Sequence, residues 1–578
     1  MNKTLPLALV LMAIGTGMVP YAKGQTMNDF KTAPHKKLIQ IGWDQPDTAY
    51  LRAHWQQMEA AAPFDGVVYD LKFTAEGKTY DNSSVLGRTL WKREWLAAPL
   101  ADMKACRFTK FAANFIRVNT APGDLKWEDD AAWNAAATNM GTVAWFAKQT
   151  GTRGIMFDTE CYAADQWRWN PASPLTFAQT CALARKRGAQ TMQAIAKQYP
   201  VMTFLSMWLF SLNHNEAKSP DPLVALQGAQ YGLWPAFVNG LLEAAPPTLK
   251  LVDACEFGYY QDERKGYLEL YNQIRNVNGP LMRLCAPELR AKYARQVTAG
   301  FGFFLDRYLN RPADTYYIAP LPGGTQLERL GINLSAAMEV SDEYVWAYGE
   351  QSRWWKRTDV PPGWVDKRLK DTVGRGRLWE EAMPGITTTI NAVRDPALAL
   401  QQAAALRTPA KNLAINPGFD QEKPTGADGT NVGALDWQSG AVPGFAQYQD
   451  EKSKGTFAWD KGAGAGRMQG VADGCYIQKY RARPGQRFLI EVEGKGAGHR
   501  VLMARWQTAD GKWTQWNEDF VFGFAPQPGK PLEIARGIVT VQDGAEQLVL
   551  LLLVTQQKPQ EACWFDNLGV YRLQDLFK

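Results

Sequence analysis

The sequence predicts an α/β chain, a parallel (β/α)8 TIM barrel followed by an all-β sandwich of the jelly-roll kind. Eight short apolar runs alternate with helix-period stretches between residues 37 and 350. None of these runs is followed by the glycine-rich phosphate turn that often marks an open doubly wound sheet. From residue 412 onward the helical pattern gives way to short strands separated by Gly/Pro turns.

The predicted strands are 37–44, 65–70, 114–119, 154–158, 201–208, 249–256, 301–306 and 344–350. Helical patterns follow at 49–61, 91–101 (helix or lid), 129–150, 175–198, 223–245, 267–300 with a break near Gly279-Pro280, and 321–341. Helical sequence at 364–393 closes the first domain. The glycine clusters at 374–376 and 462–466 lack a strand–turn–helix frame and read as loops. The organisation is then a leader at 1–24, a barrel domain at 25–385, a helical tail and linker at 386–411, and a sandwich at 412–578. Strands in the sandwich are expected at 485–493, 501–508, 532–541, 546–554 and 563–573.

The leader has Lys3, an apolar stretch at 5–14 too short to span a bilayer, and Ala22-Lys23-Gly24 as a cleavage site. It predicts a secreted or periplasmic protein cut near Gly24, with no membrane span. Removing Lys3 and Lys23 takes the formal charge from +6 to +4, and no basic block suggests nucleic acid. Seven Cys do not make a disulfide scaffold; Cys475–Cys563 is the preferred pair, with Cys161–Cys181 an alternative. Four scattered His argue against a His-rich catalytic metal site.

Barrel sites form where strands end at the C-terminal face. Those ends carry Trp43 and Asp44, Asp70, Asn119, Asp158 with Glu160, Trp208, Glu256, Asp306, and Trp346 with Glu350. The stretch 153–162 is the most informative. Its apolar run leads into Asp158, Glu160 and Tyr162 at alternate positions, which share a side of an extended chain. The bland account is a loop in which Asp158 caps a helix and Glu160 is solvated. Glu256 could instead serve a helix dipole, and Glu350 could pair with Arg353. Acids and aromatics without a phosphate loop suit carbohydrate chemistry, in which two carboxyls flank the bond to be cut. Asp44, Asp70 and Asp306 are then supporting or substrate-binding groups. Trp43, Tyr162, Trp208, Tyr260 and Trp346 are candidate sugar contacts, although barrel aromatics also fill cores. His214 is a loop residue within reach of such a cleft.

By architecture, residues 37–350 resemble the secreted (β/α)8 glycoside hydrolases. Asp158-Thr-Glu160 also looks like the Asp-x-Glu of family 18 chitinase-like enzymes. There the resemblance implies a proton-donating Glu and an Asp that orients a substrate acetamide. The chain departs from that family at Arg153 and Met156, where two further acids would stand. An ordinary two-carboxylate mechanism is the alternative, with Glu160 as general acid/base and Glu256 or Glu350 as the second carboxylate. The segment 412–420, Trp437 and the ending 564–571 resemble the first and last strands of jelly-roll carbohydrate-binding modules. Asp566 with 412–420 is a candidate for structural Ca²⁺, and Trp506, Trp513 and Trp516 for a sugar-binding face. No cofactor is implied for catalysis. The expected partner is a carbohydrate, hydrolysed or, in a degenerate barrel, only bound. A polysaccharide lyase would need a clearer base and charge-neutralising set.

Overall fold

The computed structural model describes residues 36–355, 377–421, 442–515 and 519–577. The leader, the glycine cluster at 374–376, the expected helix over 364–376, Trp437 and Trp516 lie outside the described residues. The chain divides into two compact units, one from His35 to Arg394 and one taking up the chain from Asp395.

The first unit is the barrel. Its strands are β1 (Lys37–Gly42), β2 (Gly66–Tyr69), β3 (Phe115–Asn119), β4 (Gly154–Asp158), β5 (Thr203–Ser206), β6 (Lys250–Asp253), β7 and β8 (Tyr344–Gly349). Strand β7 comes in two pieces, Val297–Ala299 and Phe301–Phe304, parted by Gly300. The first piece pairs in parallel with β6, the second with β8, and β8 with β1, so the divided strand closes the barrel. The Gly300 N–H donates to the Asp253 carbonyl at 2.9 Å across this break.

All five residues of β4 are buried, as are all four of β2, β5 and the second piece of β7. Strands covered on both faces read as continuous apolar runs, and for that reason their positions are visible in the sequence. The helices between them start on side-chain caps. Asp47 and Asp129 accept amide hydrogens at the starts of Thr48–Ala61 and Asp130–Thr150, and Thr176 with Gln179 forms a capping box for Phe177–Gln198. The helical region expected over 223–245 is two helices, Pro222–Gly228 and Trp234–Ala244. Residues past the ends of β6 and β7 leave the sheet as 3-10 turns, Glu256–Tyr260 and Leu305–Tyr308.

The second unit begins with a helix, Pro396–Leu406, and continues as a sandwich of two five-stranded antiparallel sheets. The long strands Arg487–Gly496, His499–Gln507, Glu533–Thr540, Gln547–Thr555 and Ala562–Arg572 are those the sequence predicts. Ala446–Gln449, Thr456–Asp460, Ala465–Gln469, Asp473–Arg481 and Phe520–Gly523 complete the sheets. The second half of the 462–466 glycine cluster is therefore strand. The seven Cys are all free. Cys563 points into the sandwich core beside Phe565 and Met468. Cys475 belongs to a separate apolar cluster with Ile477 and Leu551, while its neighbour Tyr476 is in the core. Strand alternation thus turns Cys475 away from Cys563, and the expected bridge does not form.

Candidate active site

Strand β4 delivers Asp158 fully buried at its end, where three donors satisfy it. Arg117 Nη2 donates to Oδ2 at 3.0 Å, Tyr162 Oη to Oδ2 at 3.1 Å, and the Glu160 N–H to Oδ1 at 3.0 Å. Arg117 comes from β3, the neighbouring strand, whose Asn119 is in register with Asp158. Its Nη1 reaches Gln45 Oε1 at 3.4 Å, and Gln45 Nε2 donates to Asp70 Oδ1 at 2.8 Å. Burial alone would lower the proton affinity of Arg117; the charges of Asp158 and Asp70 more than reverse this.

Glu160, Glu256 and Glu350 share the electrostatics of this corner. Burial raises the Glu160 pKa, repulsion from Asp158 adds to it, and Glu350 contributes as well, while the Tyr162 hydroxyl and Arg117 oppose the rise. Tyr162 Oη also meets Glu160 Oε2, so its single proton is shared between Asp158 and Glu160. Burial raises Glu256 further, well above the usual carboxylate range, and the charges of Glu160 and Asp158 act in the same direction. No hydrogen bond offsets that rise. Glu350 accepts from Tyr348 Oη at 2.9 Å, and Tyr348 Oη in turn accepts from Trp43 Nε1 at 2.9 Å. One carboxyl is therefore pushed towards its neutral form beside others that are held by donors.

Aromatic packing sets the position of Glu256. Trp346 is fully buried, and its Nε1 donates to the Ala254 carbonyl at 2.7 Å, two residues before Glu256. It is a fastening for the end of β6, and the sugar contact expected of it is corrected. Tyr259, on the same turn as Glu256, packs against Trp346 and Phe304 at 5.2 and 5.1 Å. A Cβ on Gly302 would stand 2.7 Å from the Tyr259 ring and 2.8 Å from Trp346, so only glycine lets the turn lie on β7. Arg307 Nη1 clamps the turn through the Tyr259 carbonyl at 2.7 Å.

The other expected contacts divide. Asp44 is buried, and its carboxyl accepts from Gln40 Nε2 at 2.6 Å and the Trp354 N–H at 2.7 Å. Trp208 is buried, with its ring 5.8 Å from Phe257, and His214 packs on the same Phe257. All three make packing or hydrogen-bond contacts with the framework. Trp43 is half-buried, and Tyr162 and Tyr260 are exposed. Arg117, Gln45, Tyr348 and Tyr316 belong to no site motif in the sequence. A lone arginine in the apolar run 114–119 was a visible signal for the first.

Asp306 is buried and lies under Glu350, accepting through Oδ2 from the Glu350 N–H at 2.9 Å and the Gln351 N–H at 3.2 Å. It is therefore a support of the β8 loop. Burial pushes its pKa up to about 7, with the Glu350 charge adding to the rise and Arg353 opposing it. An acid whose folded-state pKa is raised stabilises fully only below its unfolded value, and that contribution is lost as pH climbs through the folded value. Asp306→Asn keeps an acceptor for both amides and cannot ionise. Thermal unfolding should show the variant gaining on the wild type as pH rises from 5 to 8, by about 1–3 kcal/mol. A difference independent of pH would contradict this account.

Among the described residues no three His, Cys, Asp or Glu side chains are grouped to hold a metal. In the second unit, burial pushes Asp566 up to about 6, and the charges of Glu493 and Asp420 add to it. Trp506 is in the sandwich core, and Trp513 lies under Arg505 at 4.3 Å. A groove of about 720 Å³ between outer barrel helices is lined by Arg185, Lys186, Asp130 and Glu243 among others, whose charges pair with one another or with Glu288 and Arg187. No described helix is long and apolar enough to cross a membrane.

No protein-family model matches the chain, and no curated protein matches it. Among solved structures, a putative alpha-L-fucosidase from Bacteroides thetaiotaomicron aligns at 9% identity over 96% of this chain and 99% of its own, with a TM-score of 0.32. A glucosidase from Croceicoccus marinus aligns at 8% identity over 92% and 98%, with a TM-score of 0.35. A CBM4 structure aligns at 13% identity over 22% of this chain and 86% of its own, with a TM-score of 0.18. Likenesses this weak add nothing to what the strand pairing itself establishes.

Proposed function

We propose that the chain is an exported glycoside hydrolase in which Glu256 and Glu160 form the acid–base pair. One observation carries this reading. Two carboxyls follow the ends of β4 and β6, and one charge raises the proton affinity of the other while only Glu160 receives a donor, Tyr162. The sequence favours Glu160 as proton donor. The hydrogen bonding supports the reverse, since a carboxyl with burial, two negative neighbours and no donor holds its proton best.

In this mechanism Glu256 gives its proton to the glycosidic oxygen as the bond from that oxygen to the sugar carbon breaks. Ionised Glu160 faces the cationic sugar carbon; water adds its hydroxyl there, and its remaining proton returns to the carboxyl pair and restores the acid. Asp158 and Arg117 hold the Glu160 segment, and Glu350, supported by Tyr348, raises the proton affinity of Glu160. For the sandwich we propose a carbohydrate-binding role. A Ca²⁺ near Asp566 and Asp420 would relieve their repulsion, with main-chain carbonyls completing its ligands.

The test is purified protein on a panel of soluble polysaccharides, reading new reducing ends, with Glu160→Gln alongside. Release by the wild type and a loss of about 100-fold or more in the variant is expected. Equal release by both, or none by the wild type on any glycan, would overturn the proposal. Retention of an inactive wild type in glycan-containing gels would favour the binding-protein reading instead.

A further inference from the structure

The described residues include many aromatic rings, yet those left exposed are Tyr162, Tyr260 and Tyr316. Each follows a strand end at the mouth of the barrel, after β4, β6 and β7. Tyr162 is accounted for by its bonds to Asp158 and Glu160. Tyr260 and Tyr316 are not. Their relative exposures are 54% and 39%, and no packing need explains two neighbouring phenols facing water.

The pair is built as a ledge. The rings lie 5.9 Å apart at 36°, with their hydroxyls 3.5 Å from each other. Tyr316 stands edge-on against Phe304 at 5.4 Å, and Phe304 stacks on Tyr348, the residue that donates to Glu350. The main chain beneath is fastened. Asn310 Nδ2 donates to the Tyr316 carbonyl at 2.8 Å, and Arg307 holds the preceding Tyr259. Rings held this way lose little freedom when a ligand settles on them. Tyr260 also ends the single turn that begins with Glu256, and its phenol feels the charge of Glu256.

We propose that Tyr260 and Tyr316 form a stacking subsite for a pyranose ring on the leaving-group side of the bond cut at Glu256. The apolar face of a sugar fits an exposed phenol ring, while hydroxyls at the ring edge meet the two Tyr hydroxyls. The side follows from the turn. The acid protonates the oxygen that departs, so a ledge on the acid's own turn meets the sugar that leaves with it. The substrate is then an oligo- or polysaccharide whose aglycone is itself a sugar. This inference rests on the hydrolase reading for its sidedness, but not for the binding itself.

Two measurements separate the cases. The first compares kcat/KM on a sugar-aglycone oligosaccharide with kcat/KM on an aryl glycoside of the same glycone. In Tyr260→Ala/Tyr316→Ala this ratio should fall by about tenfold, and Tyr260→Phe/Tyr316→Phe should restore most of it. The second is mobility in native gels cast with soluble xylan, β-glucan, galactan or chitosan, using Glu256→Gln to remove turnover. At least one glycan should retard that protein, and the added Ala pair should abolish the retardation. Hydrolysis with an unchanged ratio would sink the subsite and leave the hydrolase standing. Retardation lost with the Ala pair, but no hydrolysis by any protein, would sink the hydrolase and keep the subsite. Retardation by no glycan, or retardation that ignores the Ala pair, would overturn the proposal.

Discussion

Glu256→Gln is expected to lower kcat on a sugar-aglycone substrate by about 10²- to 10⁴-fold, the usual scale for a general acid. The amide keeps the volume of the side chain but has no proton to give. The loss should shrink sharply on a dinitrophenyl glycoside, whose leaving group departs without protonation. Glu160→Gln should not show that rescue, because an ionised partner is needed whatever the leaving group. The pH profile gives an independent reading. Burial with Asp158 and Glu160 nearby raises the Glu256 pKa, so the wild type should lose activity only as pH rises through that elevated value. The variant has no proton to lose there, and its alkaline limb should be flat or belong to another group. If Glu256→Gln is nearly as active as the wild type, or if its dinitrophenyl activity falls equally, the acid is elsewhere. Equal rescue of Glu160→Gln would return the donor's role to Glu160.

That burial and charge raise Glu256 further than Glu160 was not legible in the sequence, although both residues were. Burial of both faces makes β4 an unbroken apolar run, and carboxylates directly after such a run stand out. Their proton affinities depend on burial and on charges brought in from distant parts of the chain. Arg117 arrives from β3, and Trp43, from the opposite end of the barrel sequence, donates to the Tyr348 hydroxyl that holds Glu350. Period-two and helical patterns carry no information about such meetings. The same gap left Trp346 and Asp306 open between two roles, since an aromatic or an acid at a strand end looks alike whether it faces the cleft or fastens a loop. In the sandwich, the missed strands are short or interrupted by polar and glycine residues. Ala446–Gln449 reads AQYQ and Ala465–Gln469 reads AGRMQ, and neither offers an apolar run until a neighbour supplies the other half of its ladder.

Arg117→Met should cost about 3–5 kcal/mol of stability, the scale on which removing one partner of a buried ion pair strands the other. Asp158 has no exposure of its own, and the neighbouring Glu160 charge repels it. Tyr162 and the Glu160 amide remain as donors, which places the expected value near the lower end. Denaturant melts of Arg117→Met, Asp158→Asn and the double variant test whether the cost comes from the pair. The double variant should recover much of the loss, because the neutral amide no longer needs the guanidinium. Function moves in a separate direction. Arg117 is one of the groups that lower the Glu160 pKa, so its removal lets that pKa rise. The ionised fraction of Glu160 at a given pH then falls, and the acidic limb of kcat/KM should shift to higher pH in whatever population stays folded. A purely structural role would lower the amount of active enzyme without moving that limb. A loss below about 1 kcal/mol together with an unmoved acidic limb would remove Arg117 from both parts of the argument, since a pair that weak behaves as an exposed one.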